Sequence, residues 1–444
     1  MKKILCINAP RTEMDAPFFP DLDLIKVART LKMQKFFVSL IDLDLEKEKI
    51  DSIDDSIEIM KPEYVIISAD TNSIQEAFQL AELVKHKNKA AKNIFIGKHA
   101  KAMPSETMLA CEFIDFVVPF FEEELVSKIV KDFDSMIING IYFRDKNEVK
   151  RTSPVFEAKD FDVFDYFGRD LVQLPKYKRF EVGKHFPVAN LQAGFGCLFD
   201  CSWCRHQNFL EKQRQRKPEK VVQEIKELIS LGVKEIYFTD PTFTLDKEWV
   251  YKLCRLISSE KINVSWQCRA RADTVDKKLL EAMKKAGCWL IRFGFESGSQ
   301  RVLDSFNKIS LVEQNLFAAQ IAKEAGIKVF GYFLLGAVNE TEKSIWETIE
   351  LAKKIEPDYF VFDIIRPSPG TTLFRKHEKE FKEMNVEWSE YFSTDDPLKI
   401  LKIGSMAPEE LLEWKQTAYN EMHSSLTYKM KKLFGRAPRR PKLD

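Results

Sequence analysis

"GFGCLFDCSWCRHQ", residues 194–207, sets Cys197, Cys201 and Cys204 at spacings of four and three. The stretch follows "ANLQAGFG" (189–196), an apolar run that reads as a strand, and precedes a helical pattern at 219–231. Three thiols on a loop between a strand and a helix suggest a disulfide framework, a zinc site or an iron–sulfur cluster. Eight cysteines in 444 residues are too sparse for a disulfide-stapled secreted module. Structural zinc usually takes four ligands in two short-spaced pairs. Cys6, Cys111, Cys254, Cys268 and Cys288 are isolated and offer no second pair. His206 lies only two residues beyond Cys204, a close-set chelate that would strain the loop. A cubane cluster normally takes four cysteines; three leave one iron open to another ligand.

Moving outward, the alternation of strand and helix continues. Strands are expected at 189–196, 235–240, 264–270, 289–297, 328–336 and 359–367, with helices at 219–231, 246–259, 276–286, 311–325 and 341–355. Six strand–helix units fit a partial parallel barrel, whose active site belongs at the C-terminal strand ends. Upstream, "KKILCIN" (2–8), "FFVSLIDLD" (36–44), "YVIISAD" (64–70), "NIFIGK" (93–98) and "FIDFVVP" (113–119) alternate with helical patterns. Continuous apolar strands of this kind imply a doubly wound parallel sheet, with ligands at the carboxyl ends of its strands. The α/β chain therefore divides into an N-terminal domain (1–133), a linker with a hairpin turning at 145–147 (134–188), a barrel (189–370) and a helical extension (371–444) ending in the basic tail "YKMKKLFGRAPRRPKLD".

Composition sets the broad class. The 69 basic and 68 acidic residues leave a net charge of +1, giving no global field for nucleic acid or an anionic membrane. The longest apolar run, "VFGYFLLGAV" (329–338), is about half of what a bilayer requires. The opening "MKKILCINAP" is too short in its apolar part for a signal peptide, so a reducing cytoplasm is expected.

The motif C-x3-C-x2-C with Trp203 before its third cysteine, just after the first strand of a partial barrel, resembles the radical S-adenosylmethionine (SAM) superfamily. The resemblance implies a 4Fe-4S cluster ligated by Cys197, Cys201 and Cys204, whose open iron chelates the methionine end of SAM. One electron, from a donor such as a flavodoxin or ferredoxin, then yields a 5′-deoxyadenosyl radical that abstracts hydrogen from a small-molecule substrate. Carried onto this chain, Asp240 and Thr242 of "FTDPTFTLD" (238–246) match the methionine amino site. Arg269 or Arg271 of "WQCRARAD" (266–273) suits its carboxylate. Glu296 and Ser297 of "RFGFESGS" (292–299) suit the ribose hydroxyls, and Gly331 of "FGYFLLG" (330–336) the approach of adenine. Each also has an ordinary structural reading as a turn, a helix cap or a surface ion pair.

An α/β domain ahead of such a barrel resembles the cobalamin-binding branch of the superfamily, which includes radical methyltransferases and the oxidative cyclase of bacteriochlorophyll synthesis. There the serine/threonine loop after the third strand lines the corrin, and Ser68 and Thr71 of "SADT" (68–71) match it; the loop after the fourth strand usually has two glycines and a histidine-containing turn, of which "IGKHAKAMP" (96–104) retains only Gly97. The loop after the fifth strand departs from the pattern. "PFFEEEL" (119–125) stands where the branch has a glycine–glutamate run. Its bulky side chains occupy the space of a flat macrocycle. Two versions stay open: cobalamin-dependent methyl transfer, or cobalamin-free dehydration, cyclisation or rearrangement. A non-catalytic iron–sulfur module is the rival from another class.

Overall fold

The computed structural model describes residues 1–11, 19–46, 50–133, 138–146, 148–154, 168–177, 182–205, 214–384, 388 and 402–424. His206, the basic tail and parts of the expected 134–188 linker and 371–444 extension lie outside them. The chain divides into two compact units at residues 180 and 181.

The first unit is built on β1 (Lys3–Asn8), α1 (Leu22–Met33), β2 (Phe37–Asp42), β3 (Tyr64–Ser68), α2 (Ile74–Lys87), β4 (Lys92–Ile96), β5 (Phe116–Val117) and α3 (Glu122–Asp132). Strand order β2-β1-β3-β4-β5, parallel throughout, is the doubly wound arrangement, with its switch point between β1 and β3. Successive strand residues serve opposite faces, so both are apolar. Leu5, Ile7, Val65, Ile67 and Phe95 pack with Ala77, Leu80 and Val84 of α2. Ile4, Cys6, Ile66 and Ile94 pack with Leu24, Val27 and Leu31 of α1 and Val126, Ile129 and Val130 of α3.

The hairpin read as linker, β6 (Tyr142–Asp145) and β7 (Glu148–Arg151), instead extends this sheet antiparallel at the β5 edge. A two-residue β5 offers a short edge, and Phe116 and Val117 pair directly with Phe143 and Tyr142. Covering a bare edge in this way removes its unpaired backbone groups.

The second unit is the barrel: β8 (Val188–Leu191), α4 (Pro218–Ser230), β9 (Glu235–Phe238), α5 (Lys247–Ser259), β10 (Ser265–Ala270), α6 (Lys277–Lys285), β11 (Cys288–Glu296), α7 (Val312–Glu324), β12 (Lys328–Leu335), α8 (Glu342–Ile355), β13 (Tyr359–Ile364), α9 (Thr372–Glu383) and α10 (Pro408–Ser424). The six strands lie in chain order and are all parallel. Helix starts follow the capping chemistry. Asp246, Asp276, Thr341 and Thr371 each accept a backbone N–H from the first turn of α5, α6, α8 and α9.

At the N-terminal end of the barrel, fully buried Glu235 accepts from Trp289 Nε1 (2.9 Å), Gln267 Nε2 (2.6 Å) and the Lys184 and His185 amides (2.7 and 2.9 Å). Four donors satisfy the carboxylate where the segment entering β8 crosses the barrel floor. That end is a structural closure.

Candidate active site

β8 runs into a short antiparallel ladder in which Gly194–Phe195 pair with Arg214–Gln215, so the cysteine loop leaves and returns at one point. Gly196 opens the loop at φ 74°, a left-handed turn that favours glycine. The Cys204 N–H donates to the Cys201 carbonyl (2.9 Å). Three outside groups then hold the loop. The Ser202 N–H donates to the Phe306 carbonyl (2.9 Å), Asn307 Nδ2 donates to the Asp200 carbonyl (2.8 Å), and the Leu373 N–H donates to the Ser202 carbonyl (2.7 Å).

Around the thiols the environment is polar and cationic. Thr242 Oγ1 lies 3.7 Å from Cys197 Sγ. Arg271 Nη1 donates to Cys201 Sγ at 3.7 Å, while its guanidinium stacks on the Phe199 ring at 3.5 Å and forks onto Asp273 at 2.9 and 2.6 Å. Burial pushes the Cys201 thiol up, and the nearby Lys308 and Arg271 cations oppose that push. Trp203 packs edge-on against Phe306, and its Nε1 is buried with no hydrogen-bond partner.

Among the described residues no three His, Cys, Asp or Glu side chains converge on one ion. A cubane asks for something else, because each thiolate takes a separate iron at a separate corner. Three thiols on one tethered loop, cations beside Cys201 and a buried N–H donor fit an anionic cluster with sulfide acceptors.

The other expected residues fall at the ends of successive strands. Asp240 is buried beyond β9, and its Oδ2 accepts from the Ala193 N–H (3.0 Å). Burial pushes its carboxyl up to about 7. A carboxyl raised on folding binds its proton more tightly in the native state. Stability of the cluster-free protein should therefore fall as pH rises from about 4 to about 7 and level off above. Asp240→Asn keeps an acceptor for Ala193 and removes its share of this fall, which denaturant midpoints of the two proteins compared across that range would register.

Arg269, at the end of β10, donates through Nε to the Tyr237 hydroxyl (2.6 Å). Glu296 closes β11 at φ 61° and is held by Lys308, Nζ to Oε1 at 2.6 Å. Ser297 is committed to structure: its Oγ pairs with Thr348 Oγ1 (2.9 Å) and accepts the Ser299 N–H (3.1 Å). Beside Gly331 the ring atoms of Phe333 and Phe295 stand 2.9 and 3.2 Å from where a Cβ would be. That space is filled by the chain's own rings. Lys308, Asn307, Phe306 and Leu373 were not among the expected residues. They act through backbone and long-range contacts, which leave no spacing pattern in a sequence.

The first unit tells a different story at its strand ends. Buried Ser68 donates to Asp21 Oδ2 (2.5 Å), and buried Thr71 Oγ1 lies 3.1 Å from His99 Nδ1. Gly97, at φ 96°, backs directly onto Ala69 and Ser68, where a Cβ would stand 2.7 Å from the Ala69 carbonyl oxygen. The Ala69 N–H donates to the Ile96 carbonyl (3.2 Å), and the His99 N–H to the Ala69 carbonyl (3.2 Å). Lys101 bridges Asp23 (2.5 Å) and Glu122 of the divergent loop (2.6 Å), and Lys26 also reaches Asp23 (2.7 Å). Burial raises the Glu122 carboxyl to about 7. Burial works the same way on Asp23, but Lys101 and Lys26 override it and hold that carboxyl below the usual range. Among the described residues the side chains of these loops engage one another.

Comparison with known proteins agrees with the barrel and its loop. The Radical SAM superfamily profile matches residues 191–352. An uncharacterized methyltransferase, PH0819, of Pyrococcus horikoshii is 30% identical over 409 residues, covering 90% of this chain and 87% of that one. The anaerobic magnesium-protoporphyrin IX monomethyl ester cyclase of Cereibacter sphaeroides is 27% identical over 82% of this chain, which spans 60% of the cyclase. In fold, the radical methyltransferase TsrM from Kitasatospora setae, solved with cobalamin and a 4Fe-4S cluster, superposes with a TM-score of 0.70 at 17% identity, over 86% of this chain and 78% of that one.

The chain belongs to the radical SAM superfamily. It falls in the branch that carries a cobalamin-binding-like α/β domain ahead of the barrel, and it is an enzyme whose cofactors include a 4Fe-4S cluster and SAM. No helix among the described residues is long and apolar enough to cross a membrane.

Proposed function

We propose that Cys197, Cys201 and Cys204 hold the cluster, and that Thr242, Arg269 and Glu296 orient SAM above it for hydrogen abstraction from a small molecule. When bound, the reduced cluster supplies the electron that cleaves the sulfonium bond, giving methionine and a 5′-deoxyadenosyl radical. The observation that carries this reading is the placement of those three side chains at the ends of β9, β10 and β11, around the tethered cysteine loop. Arg269 offers a guanidinium to the methionine carboxylate, which it can grip bidentately. Glu296 offers an acceptor to the vicinal ribose hydroxyls. Asp240 fixes the Ala193 backbone where the chain leaves β8 for the cluster loop.

For the fate of the substrate radical, the names of the relatives favour methyl transfer to an unactivated position. The interlocked loops of the first unit favour a second reading, in which no corrin takes part and the substrate radical eliminates, cyclises or rearranges. Anaerobic reconstitution with iron, sulfide and hydroxocobalamin, followed by desalting and a spectrum, separates the two. Retained corrin absorbance supports methyl transfer, and its loss supports the second reading. Formation of 5′-deoxyadenosine under a strong reductant tests the shared core, and its absence overturns both.

A further inference from the structure

Lysine is rarely this buried unless its ammonium is engaged, and Lys308 is 4% exposed. Its Nζ donates to Glu296 Oε1 (2.6 Å) and to the Gly294 carbonyl (2.8 Å), both at the end of β11. The residues on either side, Asn307 and Ile309, both sit at φ 53°. Left-handed backbone at a β-branched residue is strained and persists only where the surroundings fix it. Ile309 is itself 72% exposed, so the strain does not serve to bury it. The effect of the turn is to send Lys308 inward.

The same short segment grips the cysteine loop. The Phe306 carbonyl accepts from Ser202, and Asn307 donates to the Asp200 carbonyl. The Lys308 carbonyl accepts from Arg271 Nη2 (2.5 Å), the guanidinium whose Nη1 reaches Cys201. One strained turn thus ties a carboxylate at the end of β11 to the loop that carries the thiols.

We infer that Lys308 is a positioning residue for SAM. It grips Glu296 through Oε1, fixing the carboxylate that receives the ribose. Through its backbone it also sets that carboxylate's place relative to the cysteine loop. This rests on the reading of Glu296 given under the proposed function, and the test separates the two.

Full-length protein, reconstituted anaerobically, is titrated with SAM. Binding is followed calorimetrically and through the SAM-dependent change in the electron paramagnetic resonance signal of the reduced cluster. Lys308→Met is expected to raise the SAM dissociation constant about tenfold or more, the loss typical of a hydrogen bond to a charged group. The resonance change moves to correspondingly higher SAM concentration, iron per chain stays at the wild-type level, and Lys308→Arg recovers most of the binding. Because Lys308 acts through Glu296, the double variant Lys308→Met/Glu296→Gln binds no more weakly than Glu296→Gln alone.

Wild-type binding in Lys308→Met alongside weakened binding in Glu296→Gln overturns the role of Lys308. So does a double variant that loses the sum of the two effects. Wild-type binding in Glu296→Gln instead overturns the ribose reading of Glu296, and the proposal with it. Should Lys308→Met not accumulate as folded protein, the double variant, which removes both charges together, decides the matter against Glu296→Gln.

Discussion

Cys201→Ala yields a colourless chain that makes 5′-deoxyadenosine at least about 10^4-fold more slowly than the wild type, the scale of loss when one member of a catalytic unit is removed. Cys201 is the most buried of the three thiols and the one beside the Arg271 guanidinium. Alanine there removes one thiolate and the sulfur acceptor of the Arg271 Nη1 hydrogen bond. The backbone bonds of Ser202 and Cys204 do not depend on the thiol, so the circular dichroism spectrum should be unchanged. Anaerobic iron content and a single-turnover assay measure the loss. Cys254→Ala is the control, because that thiol is buried on α5 in an apolar setting and behaves as a small hydrophobe. A brown, product-forming Cys201→Ala protein would mean that the cysteine loop is not the cluster site.

Lys101→Met is expected to destabilise the first unit by about 3–5 kcal/mol, because it strands the buried Glu122 carboxylate and leaves Asp23 with Lys26 as its cation. In the full chain this appears as a lowest thermal transition roughly 10 °C below that of the wild type. Adding Glu122→Gln should restore part of the loss, since the stranded charge is then gone. The pH dependence follows from Glu122. Its carboxyl is raised by burial to about 7 against 4.5 unfolded, so the native state holds the proton more tightly. Its contribution therefore declines as pH climbs from about 4.5 to about 7 and is flat beyond. A Lys101→Met protein as stable as the wild type would show that the ionic bridge does not hold these loops together.

Most of the barrel could be read from the sequence because its signals are local. Apolar runs expected at 235–240, 264–270, 289–297 and 328–336 alternate with capped helices, and those four strands lie within two residues of their expected bounds, whereas the first and last strands end five and three residues short of theirs. The cysteine loop was equally legible, as three thiols at fixed spacing. What escaped was non-local. "GIYFRDKNEVKRT" looks like a hairpin from any distance, but nothing in it says that it pairs with Phe116 and Val117. Lys308 sits in an unremarkable "FNKIS", and its importance depends on two left-handed neighbours and a carboxylate twelve residues earlier. Ser297 and Gly331 illustrate the converse. Both sit at strand ends or on strands, where ligands are expected, yet Thr348 and two phenylalanine rings respectively engage them.

The Leu373 amide, bonded to the Ser202 carbonyl, has a consequence for how this enzyme can be divided. Leu373 lies at the start of α9, beyond the sixth strand and well past residue 352, where the superfamily match ends. A fragment trimmed to the matched region would lose β13 and with it one of the three tethers on the thiol loop. A portion cut to the matched region therefore holds its thiol loop by two of the three tethers. Fusions, deletions or chimaeras of this protein should keep the stretch through α9 joined to the barrel.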